Sequence, residues 1–263
     1  MNVVVLLKQV PDTETVIRID ADGKSIATRD IKWIINPYDE YAVEAALRLK
    51  DSQGATVTVL SLGPQRAVEA IRGALAMGAD QGVLVDDPAT EGADALGKAR
   101  VLAAALQGIP YDLICCGHRA VDDDENQVGV MAAELLGIPH LALAVSLGVQ
   151  DGKVRIDQPV EGAKVSLEAD LPALVTLGGA HAVWNPRYAS LPGIMKAKKK
   201  PLETKKLADL GLAPDQVGAG AAKLRVASLQ MPPQRQAGRM LDGDTAAKAR
   251  ELARLLHEEA KLI

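Results

Sequence analysis

DLICCGHRAVDDDENQVG, residues 112–129, joins a strand-like run to a helical one through a glycine and an acidic loop. Asp112–Cys116 is an apolar run that stops at Gly117, and three consecutive aspartates, Asp122, Asp123 and Asp124, lead into a helical pattern. A strand that ends in glycine and reopens as a capped helix turns unpaired backbone N–H groups outward, an arrangement that favours phosphate or another anion. Aspartate is also a preferred N-cap, so one of the three is expected to hold the first-turn amides. The same residues also read as a solvated acidic loop before an ordinary helix.

Working outward, Asn2–Leu7 is a continuous run of β-branched residues and leucine, the pattern of a strand covered on both faces. KQVPDT, residues 8–13, follows its carboxyl end, where open α/β sheets gather ligands. Val16–Ile19 and Ser25–Thr28 flank DADGK and predict a short hairpin. Asn36 as N-cap, Pro37 at the first helical position and Asp39 and Glu40 in the first turn predict a helix to about Lys50. Then come a strand at Ala55–Leu62, a helix to Met77 stopped by Gly78, a strand at Gly82–Val85 and a helix over about Ala93–Gln107. Four strands separated by three helices predict an α/β fold with a doubly wound, mainly parallel sheet. The strand ends at Leu7, Leu62, Val85 and Cys116 are expected to converge on one crevice.

After Gly137 the pattern changes. Ala142–Leu147, Val154–Ile156, Ala163–Leu167 and Ala173–Thr176 read as strands of a β extension, with Asp151-Gly152 as a hairpin turn. Gly178–Lys200 has no long periodic pattern, yet it holds Trp184 and Tyr188 and ends in MKAKKKP; such a loop is usually functional or disordered. A strand is expected at Lys223–Ser228, followed by PPQR at 232–235 and a helix from about Thr245 to Lys261. The expected division is an α/β domain over 1–200 and a C-terminal arm and helix over 201–263.

The 263 residues are 48% apolar, ample for a sizeable core, but contain no Phe, four Tyr and two Trp. Scarce aromatics argue against a base-stacking single-strand nucleic-acid surface, and a net charge of −4 argues against a polyanion binder. Cys115 and Cys116 lack redox or zinc-knuckle spacing and read as packed thiols in a reducing compartment. The opening apolar run is too short to cross a bilayer and has no cleavage-type pattern, so the chain reads as cytoplasmic, without membrane insertion. The familiar hydrolase, zinc-protease, P-loop and dinucleotide motifs are absent. His118 alone of the four histidines falls in the expected crevice, as an acid–base group or as a polar loop residue. Lys196, Lys198, Lys199, Lys200, Lys205 and Lys206 form a local basic patch that suits steering of an acidic partner. Leu191, Ile194 and Met195 just before it read either as core anchors or, with the basic rim, as a binding plug.

Four stretches occur together and in order: NPYDEYAVEAALRLK at 36–50, ALAMGAD at 74–80, VDDDENQVG at 121–129 and NPRYASLPGIMKAKKKP at 185–201. On these, the chain resembles the beta subunits of electron transfer flavoproteins over almost its whole length. The resemblance implies an adenine-nucleotide/universal-stress type of α/β fold and a non-catalytic half of an alpha–beta heterodimer. That heterodimer would carry electrons from acyl-CoA dehydrogenases and related flavoenzymes, as in fatty acid oxidation, to a membrane-bound quinone reductase. FAD would be held mainly by the alpha subunit, and this chain would bury a structural AMP. Position by position, the implied AMP contacts are Leu6; Asn36, Pro37, Tyr38 and Asp39; Leu62; and Gly117, His118, Arg119, Ala120, Val121, Asp122, Asp123, Asp124, Glu125, Asn126, Gln127 and Val128. A docking loop over about 179–201 is implied as well, with Leu191 as the plug and Tyr188, Pro192, Ile194, Met195 and Lys196 around it. Where some relatives have a tyrosine near the flavin this chain has Thr13. Electron-bifurcating relatives interrupt the aspartates with glycine and hold a second FAD; the intact Asp122-Asp123-Asp124 favours AMP. A freestanding nucleotide-binding stress-type protein is the alternative on the same fold.

Overall fold

The computed structural model describes residues 1–178, 182–234 and 237–263. Residues 179–181, at the start of the expected docking loop, and Arg235 of PPQR lie outside the described residues. The chain groups into two units, Met1–Arg18 with Ile26–Ala227, and Ile19–Ser25 with Ser228–Ile263.

The first unit is built in chain order from β1 (Asn2–Leu6), β2 (Gln9–Pro11), β3 (Trp33–Ile35), α1 (Pro37–Gln53), β4 (Thr56–Leu62), α2 (Val68–Met77), β5 (Gln81–Val85) and α3 (Ala95–Gln107). It continues through β6 (Leu113–Gly117), α4 (Val128–Leu136), β7 (His140–Ala144), β8 (Ser146–Gln150), β9 (Lys153–Val160), β10 (Ala163–Asp170) and β11 (Ala173–Leu177). It closes with α5 (Leu191–Ala197) and β12 (Leu202–Lys205). Seven strands form one parallel sheet in the order β12-β5-β4-β1-β6-β11-β7.

Side chains of a strand alternate between the two faces of its sheet, and here both faces are dry. Val3, Val5 and Leu7 pack with α1 and α2 in one core, while Val4 and Leu6 pack with α3 and α4 in the other. Leu113 and Cys115 join the first core, Ile114 and Cys116 the second. The adjacent cysteines therefore point to opposite sides of the sheet and cannot act as a pair. Burial pushes the Cys115 thiol up to about 12 and the Cys116 thiol well above its ordinary value, so both stay protonated packing groups. With no Phe to fill space, alanines on α1, α2 and α3 let the helices lie close on the sheet.

Several expectations change. The hairpin around DADGK has no strand of its own and is held by hydrogen bonds from Asp20 N to Ser25 O and from Ala27 N to Arg18 O. KQVPDT, for which only its place after the first strand was expected, contributes β2, which pairs with β3 in a two-stranded antiparallel ribbon. The single strand expected at Ala142–Leu147 is two: β7 ends on the main sheet, Val145 donates to Asp157 O at 2.8 Å, and β8 starts a separate three-stranded antiparallel sheet, β10-β9-β8. The Asp151-Gly152 turn has φ of 50° and 75°, the left-handed pair that a tight hairpin uses. Leu202–Lys205, expected to open the C-terminal arm, is the edge strand of the main sheet. Lys223–Ser228 forms no strand: Lys223 N donates to Asp94 Oδ2 at 2.6 Å, while the same carboxylate caps α3 by accepting from Gly97 N.

In the second unit, α6 (Thr245–Glu258) is capped by Asp244, whose carboxylate accepts from Ala247 N at 2.7 Å. Arg254 links Glu251 and Glu258 along it, and none of its residues is buried. No helix among the described residues is long and apolar enough to cross a membrane.

Candidate functional site

The carboxyl ends of β1, β4, β5 and β6 converge, as the alternation predicts, on a cavity of about 610 Å³. Leu6, Leu60, Leu62, Leu102 and Cys116 form its apolar floor; Lys8, Asp39, Asp87, Lys98, Asp123 and Glu125 set ionisable groups around it. A volume of this size suits a small-molecule ligand of nucleotide scale. α4 begins at the rim: Gln127 is its cap by position, no side chain caps its first turn, and Gln127, Val128, Gly129 and Val130 line the cavity. First-turn amides without a side-chain partner, at the positive end of the helix dipole, are a ready anion site.

The aspartates do not cap α4. Asp122 and Asp123 instead accept from Lys8 Nζ at 2.8 and 2.6 Å, and Asp123 and Glu125 lie 3.9 Å from Lys98 Nζ. Burial by itself would lower Lys8, but its hydrogen bonds to Asp122 and Asp123 outweigh that and hold it above its ordinary value, so it stays charged. Asp124 pairs with Arg119 at 3.0 Å, and Asp124 and Asn126 sit at φ of 54° and 51°, which short polar side chains tolerate. The acidic loop thus holds cations at the mouth of the cavity instead of terminating the helix. Two polar atoms of the lining, Arg119 Nε and Glu125 Oε2, are buried without a hydrogen-bond partner.

Asn36, the expected cap of α1, likewise turns away from its own helix: its Nδ2 donates to Arg119 O at 2.9 Å and its Oδ1 accepts from Val121 N at 3.3 Å. It thereby pins the loop after β6 to the start of α1. Asp39 joins two strand ends, accepting from Lys8 N at 2.7 Å and from Gly117 N at 2.9 Å. Burial pushes its carboxyl up to about 7, against the opposing pull of those amides. His118 Nδ1 is 2.9 Å from Leu177 O, and its ring meets Tyr38 edge-on at 4.5 Å. A carbonyl partner places the proton on Nδ1, and burial lowers the imidazole's pKa, so the ring is neutral with Nε2 as an acceptor. The bulk of the residues singled out from sequence line the cavity; Pro37, Tyr38, Val121, Asp122 and Asp124 do not. Lys8, Asp87, Thr90, Lys98, Gly129 and Thr176 line it and were not singled out. Lys8 was within reach of the strand-end rule; Thr90 and Lys98 arrive from elements whose sequence gives no such sign. No group of three or more His, Cys, Asp or Glu among the described residues is placed to hold a metal.

Elsewhere in the first unit, Ser190 caps α5 by accepting from Gly193 N at 3.1 Å. Tyr188 (97%), Leu191 (73%), Met195 (67%) and Ile194 are exposed, as are Pro192 and Lys196, so these apolar residues are not core anchors. The lysine patch divides. Lys196, Lys198 and Lys199 are exposed, but Lys200 Nζ donates to Leu75 O and Ala79 O, and Lys206 Nζ to Asp86 O. Thr13 is exposed in a turn.

A seven-stranded parallel sheet with helices on both faces and a crevice at its carboxyl edge defines the class: a doubly wound α/β protein. The electron transfer flavoprotein domain profile matches residues 24–210. The chain is 41% identical over 264 residues to electron transfer flavoprotein subunit beta of Bacillus subtilis (strain 168), covering 100% of both chains. It is 39% identical over 261 residues to the subunit of the same name from Homo sapiens and 38% to that from Mus musculus, covering 97% of this chain and 99% of each relative. The chain belongs to the electron transfer flavoprotein beta subunit family.

Proposed function

We propose that this chain is the non-catalytic half of an alpha–beta electron carrier: it holds AMP in the crevice and docks the donor flavoenzyme through the Tyr188–Lys196 segment. The observation that carries the nucleotide assignment is the set of uncapped α4 amides opening onto the cavity beside Lys8 and Lys98. The amides and lysines would receive the phosphate, the apolar floor the adenine, and Asp39, Asn36 and Asp122 would hold the surrounding loops in place. The paired aspartates leave no large excess of positive charge, which suits one phosphate better than several. FAD, bound mainly by the alpha subunit, supplies the redox chemistry. Acyl-CoA dehydrogenases and related flavoenzymes are the proposed donors and a membrane-bound quinone reductase the acceptor, with the heterodimer in the cytoplasm.

Ligands released on denaturing the purified heterodimer identify the occupant. One AMP per FAD is expected by mass spectrometry; two FAD and no AMP would assign the chain to the bifurcating type, and no nucleotide at all would remove the crevice's role. Docking is tested separately. Leu191→Ala removes an exposed apolar side chain that stabilises a fully buried contact by about 1.5–3 kcal/mol, or roughly tenfold or more in donor affinity. Dye-coupled reduction by the dehydrogenase is expected to weaken accordingly while FAD and AMP contents stay constant; an unchanged rate at low carrier concentration rules out Leu191 as the plug.

A further inference from the structure

We propose that Trp184–Lys200 is a strap clamped at both ends before any partner arrives, with Arg187 and Lys200 as its positioning residues. The inference rests on the docking role above and adds how the docking surface is held ready.

At the near end, Arg187 grips α1 with its side chain and its backbone. Nε and Nη2 donate to the two oxygens of Glu44 at 2.7 and 3.0 Å, Nη2 also reaches Asp51 at 2.8 Å, and the backbone N–H donates to Glu44 at 3.2 Å. Glu44 has only 5% of its side chain accessible, so removing Arg187 strands a buried carboxylate. Trp184 is buried against the same helix and directs Nε1 to Tyr41 O at 3.4 Å. At the far end, Lys200 Nζ donates to Leu75 O and Ala79 O at the end of α2, while Arg72 Nη1 donates back to Ala197 O and Lys200 O at 2.5 and 2.8 Å. These four bonds reach the carbonyls of Leu75 and Ala197 in the last turns of α2 and α5, and those of Ala79 and Lys200 just beyond them. Between the clamps α5 lies flat on α2: a Cβ at Gly193 would come 2.4 Å from Ala76 O, a separation no side chain tolerates. Tyr188, Leu191, Ile194 and Met195 between the clamps are exposed, yet the backbone that carries them is tied down on both sides.

A segment ordered in advance binds without the entropic cost of ordering on contact, which raises affinity with no new contact to the partner. The clamps should therefore act on recognition and leave turnover alone. In the alpha–beta heterodimer, Arg187→Ala is expected to raise the apparent KM of a donor acyl-CoA dehydrogenase for the carrier by about five- to twentyfold. Turnover at saturation should remain close to wild type, and FAD and AMP contents unchanged. Amide hydrogens of residues 188–197 should exchange faster before donor is added. With Leu191→Ala already present, Arg187→Ala should cost little more, because the clamp acts through the plug; additive effects would indicate a general loss of stability and overturn the proposal. If Arg187→Ala does not assemble, Arg187→Lys and Glu44→Gln weaken the same contact with less disruption. A KM and an exchange profile unchanged in these variants, while Leu191→Ala alone raises KM, would sink the strap and leave docking intact. An unchanged KM in Leu191→Ala itself would instead remove the docking reading.

Discussion

Gly117→Ala is expected to give a heterodimer that retains FAD, loses most of the AMP proposed for the crevice and unfolds at a clearly lower temperature. A Cβ at this position would lie 2.6 Å from Asp39 Oδ1, 2.6 Å from Tyr38 Cβ and 2.8 Å from the Tyr38 backbone carbon. Glycine is required here because the end of β6 passes directly over the start of α1, with Gly117 N–H donating to Asp39 at 2.9 Å. Two of the three obstacles belong to the backbone or the base of a side chain, so no rotamer change relieves them, and α1 must move away from β6. Overpacking of this kind costs about 1–3 kcal/mol, equivalent to roughly 2–4 °C per kcal/mol for a chain of this size. The displacement falls between Asn36 and Arg119, which a 2.9 Å hydrogen bond joins across the crevice, so nucleotide binding suffers along with stability. Thermal melting and nucleotide content of the same preparation give the answer. A variant with normal AMP content and an unchanged melting temperature would show that the β6–α1 crossing is not what shapes the cavity.

Asp39→Ala is the second large effect. Its two carboxylate oxygens satisfy the amides that end β1 and begin the loop after β6, and leaving both unsatisfied in a buried position costs about 2–4 kcal/mol. Asp39→Asn keeps the shape but offers one acceptor, so its loss is smaller and, unlike that of Ala, isolates the charge. The sign of the pH dependence follows from the direction of the shift. The folded carboxyl, near 7, holds its proton more tightly than the unfolded one at 3.8, so the stability this group contributes is complete below about pH 4 and is lost as pH rises to about 7. The stability of wild type minus that of Asp39→Asn should therefore fall across this window, by on the order of 4 kcal/mol in all, and level off above it. Denaturant unfolding at pH 5, 6, 7 and 8 measures the difference. A flat difference would mean that the amides of Lys8 and Gly117 keep Asp39 ionised throughout.

The first half of the chain was legible because local signals there agree with one another. The run at Asn2–Leu7 is covered by helices on both sides, and Gly78 stops α2 as expected, whereas α1 runs past Lys50 to Gln53 before Gly54, at φ 70°, ends it. The convergence of Leu6, Leu62 and Cys116 follows from parallel strands alone, since every carboxyl end then points to one edge. Legibility fails where a residue's partner is remote. β12 has the polar sequence LETK and becomes a strand because the edge of β5 is open to it. Lys223–Ser228 alternates like a strand but gives its first amide to Asp94, 129 positions earlier in the chain. Asp122 looked like a helix cap and is instead committed to Lys8, 114 positions away.

The parallel α/β fold, the edge at which its crevice opens and the family can thus be read from the chain alone, because these depend on periodicity, turn chemistry and contiguous motifs. Tertiary structure alone decided what the charged residues do. Asp122 and Asp123 hold Lys8, Asn36 holds the Arg119 carbonyl, Glu44 holds Arg187 and Lys200 holds the end of α2. The physical reason is that a charged or amide side chain has several partners of comparable strength within the same sequence, and only the folded arrangement, by burying one choice, makes it the favourable one.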